Sequence, residues 1–396
     1  MSKGAVMNTY QRFPLTIKRG EGSYIWDDNE NKYLDLTMGI ATCNLGHVPK
    51  IVKTAVENQL EQLWHCSNLY EIPAQQQLAD LIVSHSVGDQ VFFSNSGAEA
   101  NEAAIKLARK YAKQTDEAKS TEIVTFKQSF HGRTVATMSA TGQEKVQEGF
   151  DPLAPGFRTL TFNDRDALES LAENPPCAVM LELVQGEGGV VPAHQQWVQD
   201  LASLCQDKGI LLMIDEIQTG IGRTGTLFAY EQYGIEPDVF TLAKGLGSGF
   251  PIGATVAKQH VSEYFSPGSH GSTFGGNPLA VTAAKATIEH IIEADILTYV
   301  EKVSIHFRKE LEKLAARYNT IESVRGCGLL LGLAVNVEAK EIITLAREKG
   351  LLVLPAGPTV VRLLPALTIS YQQIEEALSV LDEVFAEAAK KEATVK

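Results

Sequence analysis

A chain of 396 residues, 44% hydrophobic and 21% charged, is long enough for two or three folding units and too rich in apolar residues to stay disordered. Its formal charge of -13, with no Lys/Arg-rich block to offset it, excludes nucleic acid and anionic membrane as general partners, so an anionic small ligand needs local basic residues. The five cysteines (Cys43, Cys66, Cys177, Cys205, Cys327) are scattered without a CxxC pair, which points to reduced thiols in a cytoplasmic protein rather than a disulfide framework or a zinc knuckle. Met1 to Leu15 lacks the apolar core of a targeting signal, and no run approaches the ~18 apolar residues of a membrane span.

In chain order, Gly22 to Asp27 and Lys32 to Leu36 carry a small strand pattern of their own. Short apolar runs then alternate with helical patterns, which is the signature of an α/β fold with a mostly parallel central sheet covered by helices. The strands predicted are Gln90 to Phe93, Glu122 to Phe126, Ala178 to Leu183, Ile210 to Ile214, Val239 to Leu242 and Ile252 to Ala257. Between them, Ala98 to Gln114 is built from strong helix formers, and Gln196 to Lys208 puts Trp197, Leu201, Leu204 and Cys205 on one stripe before Gly209 ends it. Long helices follow at Pro278 to Glu293 and Ile296 to Arg317. Strands around Ser323 to Val335 and Leu351 to Leu364 and a helix from Gln372 complete a smaller α+β lobe. The expected division is 1–68 as an N-terminal segment packing with the small domain, 69–277 as the large cofactor-binding domain, and 278–396 as the small domain.

Two strand ends carry chemistry. Ile210 to Ile214 runs into Asp215-Glu216-Ile217-Gln218, which brings two carboxylates to the carboxyl edge of a buried strand, where open α/β sheets bind ligands. Acidic residues there also cap helices and solvate turns, so Asp215 needs a partner. Val239 to Leu242 supplies one by delivering Lys244, followed by glycines that let a ligand approach the backbone; AKGLGSG is not the GxxxxGK[ST] loop of nucleotide enzymes. One Asp and one Lys at the ends of two buried strands is the pairing that pyridoxal 5'-phosphate requires: an amine to bond its aldehyde carbon and a carboxylate to keep its ring nitrogen protonated. The cofactor's phosphate finds a cradle in Phe93 to Asn101, a strand, a polar turn and a helix N-terminus, although an ordinary capped helix start reads the same way.

Five segments in order, SGAEANEAAIK, SFHGRT, DEIQTGIGRTG, TLAKGLGSGFPIGA and HGSTFGGNP, make the chain resemble the class III pyridoxal-phosphate aminotransferases, and the likeness runs from GIATCNLGH to VRLLPALTIS. The resemblance implies a fold type I enzyme acting as a homodimer with active sites at the interface. It implies a cofactor set of Ser96, Gly97, Ala98, Phe130, Asp215, Glu216, Ile217, Gln218, Lys244 and Thr273, with Thr273 donated by the other subunit. Within that set Gly97 and Ala98 meet the phosphate, Phe130 faces the ring, Gln218 touches the ring's phenolic oxygen, and Lys244 is the covalent attachment point and proton carrier. Arg133 is expected to clamp the substrate carboxylate, with Ser272 beside the substrate. Leu183 stands where the family commonly has proline, while Glu182 and Glu187 are retained. His131 is read as shaping its turn, and His47, Trp64 and His65 as packing or interface residues.

The implied reaction moves the terminal amino group of N2-acetylornithine to 2-oxoglutarate, a step of arginine biosynthesis, with ornithine, succinyldiaminopimelate and 4-aminobutyrate as alternative donors. Arg362 lies in the apolar run VVRLLP, where an unpaired charge is costly, so a switchable ion pair with Glu187 is expected, the alternative being a static structural pair. Ile40, where ornithine-specific members carry tyrosine, is expected beside the donor's α-substituents, with core packing as the alternative. The rivals of a different class are a non-catalytic binding protein that keeps the fold, a nucleotide-dependent enzyme using AKGLGSG, and a mutase or decarboxylase on the same cofactor.

Overall fold

The computed structural model describes residues 5–115 and 120–395; the start of the expected N-terminal segment and Lys396 lie outside them. Its centre is a seven-stranded sheet in the order Gln90–Ser94, Gly253–Ala257, Val239–Leu242, Leu211–Asp215, Ala178–Leu181, Ile123–Phe126, Phe157–Leu160. All neighbours run parallel except Gly253–Ala257, which is antiparallel to both of its partners. The three strands Ala178–Leu181, Leu211–Asp215 and Val239–Leu242 are buried at every position, which explains why they read as continuous apolar runs and not as alternating ones. The predicted run to Leu183 breaks at Glu182, and Val184–Gln185 pairs separately with Val191–Pro192.

The helix Gly97–Gln114 packs on this sheet, and Thr255 Oγ1 donates to Ala100 O at 2.8 Å to pin it there. Helix Gln195–Lys208 ends at Gly209, whose φ of +64° is the left-handed conformation glycine adopts without strain. Pro278–Glu293 begins on Asn277, which accepts from Ala280 N, and packs against Lys50–Leu60 and Pro73–Ser84.

The C-terminal part builds an antiparallel four-stranded sheet from Ile321–Cys327, Leu330–Val335, Val360–Leu363 and Leu354–Pro355. The strands expected around Ser323 to Val335 form a hairpin, whose turn between Cys327 and Leu330 holds Gly328 at φ +56°. Chain start and chain end meet directly: Leu351–Leu352 adds in parallel to Lys32–Asp35, and Tyr24 Oη donates to Glu376 at 2.7 Å. Among the described residues no helix is long and apolar enough to cross a membrane.

Candidate active site

Parallel pairing sets Asp215 in register with Thr241, so the ends of two adjacent strands open on one side of the sheet. A cavity of about 440 Å³ lies there, lined by Asp215, Ile217, Gln218 and Lys244 from those ends. Ser96, Gly97 and Ala98 close it from the helix start, Phe130 and Arg133 from SFHGRT, and Phe250 to Ile252 from the entry to the antiparallel strand.

The helix start leaves donors free. Ser96 Oγ accepts from Glu99 N at 3.1 Å, and the Glu99 carboxylate returns to Asn95 N at 2.7 Å. This cap satisfies Glu99 and leaves the N–H groups of Gly97 and Ala98, the first two helical positions, without an intrahelical acceptor at the cavity wall. A Cβ at Gly97 would meet Ile217 side-chain carbons at 2.8 Å, so only glycine lets the helix start lie this close to the strand end.

Asp215, only 3% exposed, receives three donors: His131 Nδ1 and Asn101 Nδ2 at Oδ2, each at 2.8 Å, and Ile217 N at Oδ1, 3.1 Å away. Burial works against the His131 imidazolium, but the hydrogen bond and charge of Asp215, with help from Glu182, raise it above the ordinary histidine range. The sequence reading of His131 as a turn former is therefore incomplete, because its ring is a partner of Asp215. The Glu182 carboxylate, pushed up to about 7 by burial, accepts from Phe130 N at 2.9 Å and holds that aromatic wall in place.

Lys244 sits at φ +43°, a left-handed conformation that costs a non-glycine residue about 1–3 kcal/mol and is tolerated mainly at functional sites. Burial holds its amine below the ordinary lysine range, opposed by Glu187 and reinforced by Arg362. Among the described residues its amine has no hydrogen-bond partner at the cavity wall. Pyridoxal phosphate fits this set of groups: two unspent helical N–H donors for a phosphate, a carboxylate with an open oxygen position for a ring nitrogen, and an amine of lowered basicity.

Arg362 is 2% exposed, and its Nη1 donates to Glu187 Oε1 at 2.6 Å, Gly186 O at 2.8 Å and Gln218 Oε1 at 3.1 Å, so the expected ion pair is formed and reaches a cavity residue. Burial opposes ionisation of Glu187, yet Arg362 pulls it below the ordinary glutamate range. Arg133 is exposed, lies 5.6 Å from the Phe130 ring, and has no carboxylate partner among the described residues.

Other expected residues lie elsewhere. The Glu216 side chain turns away from the cavity into the core, accepting from Thr219 Oγ1 and from Tyr230 N, and burial pushes it up to about 7. Thr273 is exposed and outside the cavity wall of this chain; Ser272 Oγ reaches the site only through Asn95 Nδ2 at 3.2 Å. Ile40 is 41% exposed and not part of the wall, where Thr42 stands instead. Met38, Gly39, Ile40 and Ala41 there take φ between +43° and +62°, a left-handed run that local sequence preferences oppose.

The family model for aminotransferase class-III matches residues 5–385. An acetylornithine aminotransferase of Oceanobacillus iheyensis is 55% identical over 96% of this chain and 95% of its own length, and one of Bacillus subtilis is 48% identical over 96% and 98%. Among solved structures, the ornithine aminotransferase of Toxoplasma gondii superposes with a TM-score of 0.94 at 30% identity, covering 98% of this chain and 94% of that one. A second structure of that enzyme is described as having pyridoxal phosphate at partial occupancy in its active site. The N-acetylornithine aminotransferase of Stenotrophomonas maltophilia gives 0.85 at 37% identity, over 96% and 98% of the two chains. Match length, motif order and cavity chemistry agree, and the chain belongs to the class-III aminotransferases, enzymes that depend on pyridoxal phosphate.

Proposed function

We propose that this chain transfers the terminal amino group of N2-acetyl-L-ornithine to 2-oxoglutarate, giving N-acetyl-L-glutamate 5-semialdehyde and L-glutamate. The observation that carries the reading is one cavity joining Lys244 and Asp215 to the exposed guanidinium of Arg133, in a chain whose curated relatives bear that activity in their names. Bound there, pyridoxal phosphate supplies an electron-withdrawing ring and an aldehyde carbon that takes amino groups. The protein does the rest. Gly97 and Ala98 N–H would hold its phosphate, Phe130 and Ile217 would line its ring, Asp215 would pair with the ring nitrogen, and Gln218 with the phenolic oxygen. Lys244 would hold the cofactor through its aldehyde carbon and, once the donor's amine has displaced it, its amine would take the proton from the donor's amine-bearing carbon and deliver it to the former aldehyde carbon of the cofactor, a task suited to an amine of lowered basicity.

Donor choice follows from the walls. Arg133 takes the donor's α-carboxylate, while Phe250, Pro251 and Ile252 present apolar surface. The free α-ammonium of ornithine would lose water against such a wall at a cost of several kcal/mol, whereas acetylation removes the charge. N2-acetylornithine is expected to exceed ornithine and 4-aminobutyrate by more than about tenfold in kcat/KM, the factor that ~1.4 kcal/mol yields. Measuring the three donors with 2-oxoglutarate decides it; equal or better use of ornithine or 4-aminobutyrate would remove the substrate assignment and leave the aminotransferase chemistry.

Glu187 covers Arg362 while the diamino donor binds and moves aside when 2-oxoglutarate or glutamate needs the guanidinium for its α-carboxylate. Glu187→Gln weakens the cover, so the glutamate half-reaction should gain about tenfold relative to the acetylornithine half-reaction, again a step of ~1.4 kcal/mol. Stopped-flow rates of both half-reactions test the switch, and an unchanged ratio would mean that the pair is static.

The reading includes a cytoplasmic homodimer, with Thr273 reaching the neighbouring site and the division at 68 and 277 separating the lobes that frame it. Its support is an exposed apolar set, Trp64 at 63%, Leu69 at 89%, Tyr70 at 71% and Phe274 at 61%, tied to the cavity side by Asn68 Nδ2 donating to Ser272 O. Sedimentation should give a two-chain mass, and a single-chain mass at micromolar concentration would end this part.

A further inference from the structure

The hydrogen bonds around Asp215 are fully assigned by donor and acceptor chemistry, and they single out a residue that no motif argument requires. Asn101, wholly buried, sits one turn into the helix whose first N–H groups face the cavity. His131 O and Asp215 Oδ2 can only accept, so they fix the amide orientation with Nδ2 on their side, and Oδ1 on the other side accepts from Thr241 Oγ1 at 2.7 Å. Nδ2 then spends both hydrogens, on His131 O and on Asp215 Oδ2, each at 2.8 Å. Reversing the amide would set its oxygen against the carboxylate. His131 Nδ1 takes the remaining position on Oδ2, so both lone pairs of that oxygen are occupied. Oδ1 receives only Ile217 N, and its other lone pair is the one open acceptor position of the carboxylate, at a wall of the cavity.

We propose that Asn101, braced by the Thr241 hydroxyl, is a positioning residue that presents Asp215 Oδ1 to the cofactor's ring nitrogen and keeps the shared proton on the ring. The proposal rests on the cofactor reading above. The same helix offers Gly97 and Ala98 to the phosphate and Asn101 to Asp215, so one rigid element sets the distance between the two ends of the bound ring. Thr241 stands in register beside Asp215 on the neighbouring strand, which makes the chain Thr241, Asn101, Asp215 a property of the sheet and not of a mobile loop. A carboxylate that loses one of three donors draws a shared proton toward itself, so removing Asn101 shifts that proton from ring to protein.

The test uses the full-length protein loaded with pyridoxal phosphate labelled with nitrogen-15 in the ring. In Asn101→Ala the ring-nitrogen resonance should move toward the deprotonated position, and kcat should fall at least tenfold with the donor KM changed less than twofold. Thr241→Val, nearly equal in volume, should move both readouts in the same direction by a smaller step, and adding it to Asn101→Ala should change neither further. The Thr241→Val shift carries the proposal if Asn101→Ala does not fold. An unmoved resonance with turnover within twofold of the parent in Thr241→Val, or in a folded Asn101→Ala, would overturn it. Failure of the parent protein to bind the labelled cofactor would instead end the reading on which the proposal stands.

Discussion

Lys244→Ala is expected to abolish covalent cofactor retention and to lower turnover by about 10²–10⁴-fold, the range for removing a positioned acid–base group. The amine lies at the wall of the cavity with burial holding its basicity below the ordinary lysine range, which favours the neutral form that bonds a carbonyl carbon and accepts a proton. Alanine keeps the backbone demands of the site as they are, since the φ of +43° suits neither residue better than the other. Deleting the ammonium also relieves a desolvated charge, so thermal stability should be unchanged or raised. Borohydride reduction followed by peptide mapping should place the cofactor on the peptide containing Lys244 in the parent and on none in the variant. A labelled lysine elsewhere would show that the strand-end argument chose the wrong residue.

Asp215→Asn should lower kcat by about 10²–10³-fold, the loss seen when one oriented electrostatic partner is taken from a reacting group. Shape is preserved and charge is not. If the new amide nitrogen takes the Oδ2 position it meets two donors, His131 Nδ1 and Asn101 Nδ2; if it takes the Oδ1 position it meets Ile217 N and turns a donor toward the ring nitrogen. Either way a buried donor goes unpaired, at a cost of about 1–3 kcal/mol in stability. His131 loses the group that raises it, so its titration should move down, which proton NMR of the imidazole can follow. Turnover within threefold of the parent would refute the role of Asp215.

Much of the chemistry was legible because it sits where sequence patterns are strongest. Asp215 and Lys244 stand at the ends of strands buried at every position, and Gly97 and Ala98 begin a helix of alanine, glutamate and lysine. Arg362 was legible for the opposite reason: a charge in an apolar strand demands a partner, and Glu187 is there. What stayed hidden depends on contacts distant in sequence or on backbone geometry. His131 and Asn101 reach Asp215 across 84 and 114 residues, and although both lie in segments that carry the family resemblance, nothing local shows that they turn toward Asp215. The edge strand Phe157–Leu160 is only half-buried and lacked a clear apolar run. The reversed direction of Gly253–Ala257 leaves no mark in composition. Ile40 was placed by analogy; it lies in a left-handed run, and Thr42 stands at the wall in its stead.

The most direct test follows one nitrogen atom. N2-acetylornithine labelled with nitrogen-15 at its terminal amine is incubated with the purified protein, pyridoxal phosphate and 2-oxoglutarate, and the products are resolved by mass spectrometry. The label should appear in glutamate in equal amount to the semialdehyde formed, faster than from equally labelled ornithine or 4-aminobutyrate. Label that remains in the donor, or that is released as ammonia without glutamate, would contradict the account.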